Sequence, residues 1–65
     1  MMKIIKLYAD EHGVFNIGES VGLSSRIVSE INEYDEFYEV RYSNSKLVSH
    51  INKTYVFRVD LMEEE

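Results

Sequence analysis

The chain reads as all-β, either a small barrel or a strongly bent five-stranded antiparallel sheet, and two observations carry that reading. Aromatic and β-branched residues alternate with other side chains from Phe37 to Ser43, with Tyr38, Val40 and Tyr42 on one face and Phe37, Glu39 and Arg41 on the other. That pattern suits a pleated, half-buried surface. Short polar connections, Asn44-Ser45 and Asn52-Lys53, then separate successive apolar runs, as in a meander.

The elements follow in order. Ile4-Ile5-Lys6-Leu7-Tyr8 and Val14-Phe15-Asn16-Ile17 are two β-rich runs joined by Ala9-Asp10-Glu11-His12-Gly13, a polar connection closed by glycine that reads as a hairpin. Gly18 and Gly22 bracket Glu19-Ser20-Val21, where a turn or bulged strand is expected. Lys46 to Asn52 returns with Leu47 and Ile51 facing one way and Val48 and His50 the other. Tyr55, Phe57, Val59 and Leu61 then form the expected apolar face of a last strand.

Residues 23–35 admit two patterns. Ile27, Val28 and Ile31 with Tyr34 or Asp35 fit helical spacing, and Ser24 or Ser25 has the chemistry of an N-cap. Neither serine has Glu or Gln three residues on, so no capping box forms. Alternation fits as well, with Val21, Leu23, Ile27 and Ile31 on one face. A strand is preferred here, and an α+β chain with a short helix near residues 24–35 is the alternative.

One domain over residues 1–62, followed by an acidic tail at 63–65, is the expected organisation of these 65 residues. A chain of this size buries only roughly 60% of the surface it exposes when unfolded, so its stability is modest. Cysteine is absent, which leaves packing and hydrogen bonds to hold the fold. Lysines interrupt the apolar N-terminal run Met1 to Leu7, which does not resemble a secretory leader. No stretch approaches the ~20 apolar residues of a membrane span, so a cytoplasmic protein without a membrane partner is expected.

The charges segregate by sign. Five acids and no base lie between Glu30 and Glu39, whereas four bases and no acid lie between Arg41 and Val59. The net charge of −5 disfavours wrapping of duplex DNA, which relies on basic surface.

The stretch Ile17-Gly18-Glu19-Ser20-Val21, the run Arg26-Ile27-Val28-Ser29-Glu30-Ile31, then Tyr38-Glu39-Val40-Arg41-Tyr42 and Val48-Ser49-His50-Ile51 together resemble small SH3-like barrels of the KOW-like and Tudor-like kind. The resemblance covers most of residues 14 to 61. It implies a binding module, and short single-domain versions resemble accessory proteins of bacteriophages and mobile elements. With no Trp and no Pro, the peptide groove of signalling SH3 domains has no counterpart here.

Chemistry-bearing residues are few. His12 lies beside Asp10 and Glu11, and His50 beside Ser49, but no nucleophile elbow, P-loop or paired-histidine helix is present. Neighbours in a strand point to opposite faces, which separates Ser49 from His50. No catalytic residue, metal site or cofactor is assigned, and a non-enzymatic module is expected. The preferred partner surface is acidic: Glu30, Glu33, Tyr34, Asp35 and Glu36, carboxylates around an aromatic ring that suit a basic protein partner in an accessory or inhibitor role. The alternative is a nucleic-acid surface of Arg41, Tyr42, Lys46, Lys53, Tyr55 and Arg58, combining cations for phosphate with rings for bases. Most tyrosines are expected in the core, and Arg41 and Arg58 are expected to pair across strands with Glu39 and Asp60. A third reading is self-association through an edge strand, giving a homodimer.

Overall fold

The computed structural model describes residues 1–64 and sorts the alternating runs into six strands in two antiparallel sheets of three. β1 (Met2–Ala9), β2 (Gly13–Asn16) and β6 (Val56–Glu63) form one sheet in the order β2-β1-β6. β3 (Val28–Glu33), β4 (Phe37–Tyr42) and β5 (Val48–Asn52) form the other, a meander. The all-β class is as expected, but the strands split into two sheets instead of joining in one five-stranded sheet or a closed barrel. The helical alternative at 24–35 is not adopted: turns and a bridge between Ser20 and Ile27 lead directly into β3.

Three bulges explain where simple alternation misleads. In β3, Val28 faces Tyr42 and Glu30 faces Arg41, so Ser29 is an extra residue and Val28 and Ile31, three apart, both point inward. An extra residue resets the phase of a strand. That inward spacing of three is what imitates a helix in the sequence. In β1 the extra residue is Ile5, and Ile4 and Leu7 both reach the core. In β6 it is Phe57, and Val56 and Val59 turn inward. The expected apolar face of Tyr55, Phe57, Val59 and Leu61 is therefore corrected: Phe57 is 67% and Leu61 51% exposed. Leu23 is likewise fully exposed, outside any strand. Leu47 precedes β5 and stays exposed, while Ile51 is buried.

The core lies between the sheets. Leu7 from β1, Val28 from β3 and Val40 from β4 are its most buried members, joined by Ala9, Phe15, Ile31, Tyr42 and Ile51. Full burial of an aliphatic side chain contributes about 1.5–3 kcal/mol, so these few residues carry much of the stability.

Backbone bonds fasten the sheets at two places. Gly18, at φ 88°, turns the chain out of β2 so that its N–H donates to Val28 O at 2.8 Å, while Val28 N–H donates to Glu19 O at 3.0 Å. At the other end a 3-10 turn, Lys53–Tyr55, replaces the simple turn expected at Asn52-Lys53. Asn52 caps it by accepting from Thr54 N–H, Lys53 N–H donates to Glu36 O at 3.0 Å, and Tyr55 O accepts from Asp10 N–H at 2.7 Å. The Asn44 amide ties the long loop to the β4–β5 turn, accepting from Ile27 N–H at 2.9 Å and donating to Ser25 O at 2.8 Å. Glu63, expected in a tail, pairs with Met2 in the ladder, and Glu64 N–H donates to Met1 O at 2.7 Å. Glu65 lies outside the described residues.

Candidate functional site

The β3–β4 connection places three exposed residues, Tyr34, Asp35 and Glu36, at one end of the second sheet. Tyr34 N–H donates to Phe37 O at 2.9 Å, which closes the turn and projects the intervening acids into solvent. Asp35 and Glu36 make no side-chain hydrogen bond or salt bridge among the described residues. With Glu33 and Phe37 they line a shallow, open depression.

A row of near-parallel rings crosses the outer face behind this tip. Tyr34 stacks on Phe37 with centroids 5.1 Å apart and planes at 23°, and Phe37 stacks on His50 at 4.3 Å and 24°. Strands lie roughly 4.8 Å apart, so rings standing on adjacent strands meet at stacking distance. Phe37 and His50 meet diagonally across β4 and β5, where Phe37 faces Asn52 and Glu39 faces His50, and Tyr34 reaches Phe37 from the turn. Tyr34 is 47% exposed at its end.

A polar network flanks the rings. Glu39, 8% exposed, accepts from Arg41 Nε at 2.9 Å and from Asn32 Nδ2 at 3.2 Å, and His50 Nε2 stands 3.9 Å from its other oxygen. The Arg41 hydrogen bond, followed by that from Asn32, holds the Glu39 carboxyl below its ordinary range. The same pairing raises Arg41.

Of the five acidic-face residues, the fold gathers Tyr34, Asp35 and Glu36 at the tip with Glu33 beside them, while Glu30 lies along β3 opposite Arg41. Glu33 is neutralised by Lys53, whose Nζ stands 2.7 Å from its carboxylate and 5.4 Å from the Tyr38 ring centroid. That bond to Glu33 raises Lys53. Glu30 accepts from Asn32 at 2.6 Å.

The basic set is dispersed. Arg41 and Arg58 belong to different sheets, and each pairs with an acid two residues away on its own strand instead of across strands: Arg41 with Glu39, and Arg58 with Asp60 at 3.0 Å. The bond to Asp60 raises Arg58, whose guanidinium also lies 4.9 Å from the Tyr8 ring centroid. Lys46 is exposed in the β4–β5 turn. Tyr42 is a core ring, 8% exposed, with its hydroxyl 2.9 Å from Ser49 Oγ, so it presents no face to a base. Tyr55 is exposed and meets His12 edge-on at 5.0 Å. Ser49 and His50 face opposite ways, as strand geometry requires.

Phe37, Glu39 and His50 are site neighbours that the sequence-level surface omits. Their signal is present in the alternation, since 37, 39 and 41 share a phase; the position of His50 beside them needs the β4–β5 register, in which Glu39 faces His50.

Protein-family models, curated proteins and solved structures give no match to this chain. What the tip offers chemically is a flat ring rim beside two solvated carboxylates. A planar guanidinium suits both at once, lying on a ring face while its N–H groups donate to carboxylate oxygen.

Proposed function

We propose that the protein is a non-enzymatic binding module that docks a basic protein partner through the β3–β4 tip, with an arginine of that partner against Tyr34, Asp35 and Glu36. The observation that carries this reading is the ring row Tyr34, Phe37 and His50 ending beside acids that form no salt bridge within the described residues. Glu39 is committed to Arg41 and Glu33 to Lys53, which leaves Asp35 and Glu36 as the carboxylates open to a partner. Kinship with small SH3-like domains and a role as a cytoplasmic accessory or inhibitor protein belong to the same proposal. The meander and the β1–β6 pairing support the first. The cysteine-free chain suits the second.

Fluorescence anisotropy with a labelled arginine-rich peptide tests it. The wild-type chain is expected to bind, the double reversal Asp35→Lys, Glu36→Lys to lose binding with its fold intact, and a lysine-rich peptide to bind more weakly. Equal binding by the reversed variant contradicts the proposal. A labelled oligonucleotide bound in preference to the peptide, with loss on Arg41→Glu, establishes the nucleic-acid alternative instead.

A further inference from the structure

We propose that β6 is a self-complementary edge through which two copies of the chain pair antiparallel about Val59. β6 ends its sheet, with β1 on one side only. Glu64 N–H donates to Met1 O, so along the regular part of the ladder the backbone groups of Met62, Asp60 and Arg58 turn toward β1. Those of Val59, Leu61 and Glu63 turn away, into an unpaired edge. Unpaired N–H and C=O groups on a strand of eight residues are a template for another strand.

The sequence of that edge selects its occupant. In an antiparallel pair centred on Val59, Arg58 of each copy faces Asp60 of the other. Arg58 and Asp60 share the outer face in the register Tyr8↔Arg58, Lys6↔Asp60, and lie 3.0 Å apart within one chain. Pairing two copies therefore assembles four alternating charges, each with an opposite charge beside it and another across from it. The neighbouring registers that still pair the outward backbone groups place Arg58 opposite Arg58 or Asp60 opposite Asp60, like charges across the two-fold, so charge fixes the alignment.

Sedimentation equilibrium on the full chain over a wide concentration range is the test, with the single variants Arg58→Asp and Asp60→Arg, their mixture, and the double variant R58D/D60R. The wild type is expected to approach the dimer mass as concentration rises. Each single variant sets two like-charged pairs across the two-fold, and its dimer is expected to dissociate more readily, on the order of tenfold. The two single variants mixed restore every opposite pair, as does the double variant, so both are expected to regain wild-type association. Circular dichroism verifies that each chain is folded. A wild type that stays monomeric at millimolar concentration overturns the proposal. So does a dimer that both single variants form as tightly as the wild type, since that places the interface elsewhere.

Discussion

Glu39 and Arg41, two residues apart on β4, form a hydrogen-bonded ion pair of 2.9 Å on the outer face of the meander, which lowers the Glu39 carboxyl and raises Arg41. Because Glu39 is also held by Asn32, its carboxyl is committed to the sheet and withdrawn from the proposed partner surface. The acids left to act outward are those of the turn.

The pH dependence of folding follows from this pair. The folded carboxyl of Glu39 titrates below its unfolded value, so the folded state binds fewer protons and the pair's stabilisation is fully present above the unfolded pKa. It is lost as pH falls through the ordinary glutamate range, about pH 4, and on through the lowered folded value. Thermal unfolding followed from pH 7 down to pH 3 should show a smaller acid-induced drop in Tm for Glu39→Gln than for the wild type. Parallel curves would place the acid sensitivity in other carboxylates.

The bulges predict which apolar residues matter. Leu7→Ala removes a fully buried side chain and should cost about 2–5 kcal/mol, enough to threaten a domain of this size. Leu61→Ala, at a position that simple alternation assigns to the apolar face, should change monomer stability by only about 0.5 kcal/mol. Urea unfolding midpoints, read at a concentration where the chain is monomeric, check the contrast.

Asn44 is predicted to hold the loop before β3. Asn44→Ala removes both the bond from Ile27 N–H and the bond to Ser25 O, at a cost of about 1–2 kcal/mol. Hydrogen exchange should accelerate at Ile27 while Val40, in the central strand of its sheet, keeps its protection.

Much of the fold is legible in the residues themselves. Tyr38-Glu39-Val40-Arg41-Tyr42 announces β4, and Gly13 marks the first hairpin, because both are local signals. Ser29, Ile5 and Phe57 carry no local mark of a bulge; each extra residue is fixed by the register of a neighbouring strand, which one strand's sequence does not contain. The site follows the same division. Tyr34, Asp35 and Glu36 are recognisable as an acidic turn beside a ring, whereas the stacking of Phe37 on His50 depends on residues 13 apart meeting across β4 and β5. Tyr42 shows the opposite failure: a ring suited to stacking by type is taken by the core.

The most direct test of the proposed docking tip is amide chemical-shift mapping by NMR on the isotope-labelled chain, titrated with an unlabelled arginine-rich peptide. Perturbations confined to Tyr34, Asp35, Glu36 and Phe37, extending to His50 through the ring row, are the predicted result. Perturbations centred on Arg41, Lys46 and Arg58, or no change at the tip at peptide saturation, would contradict it.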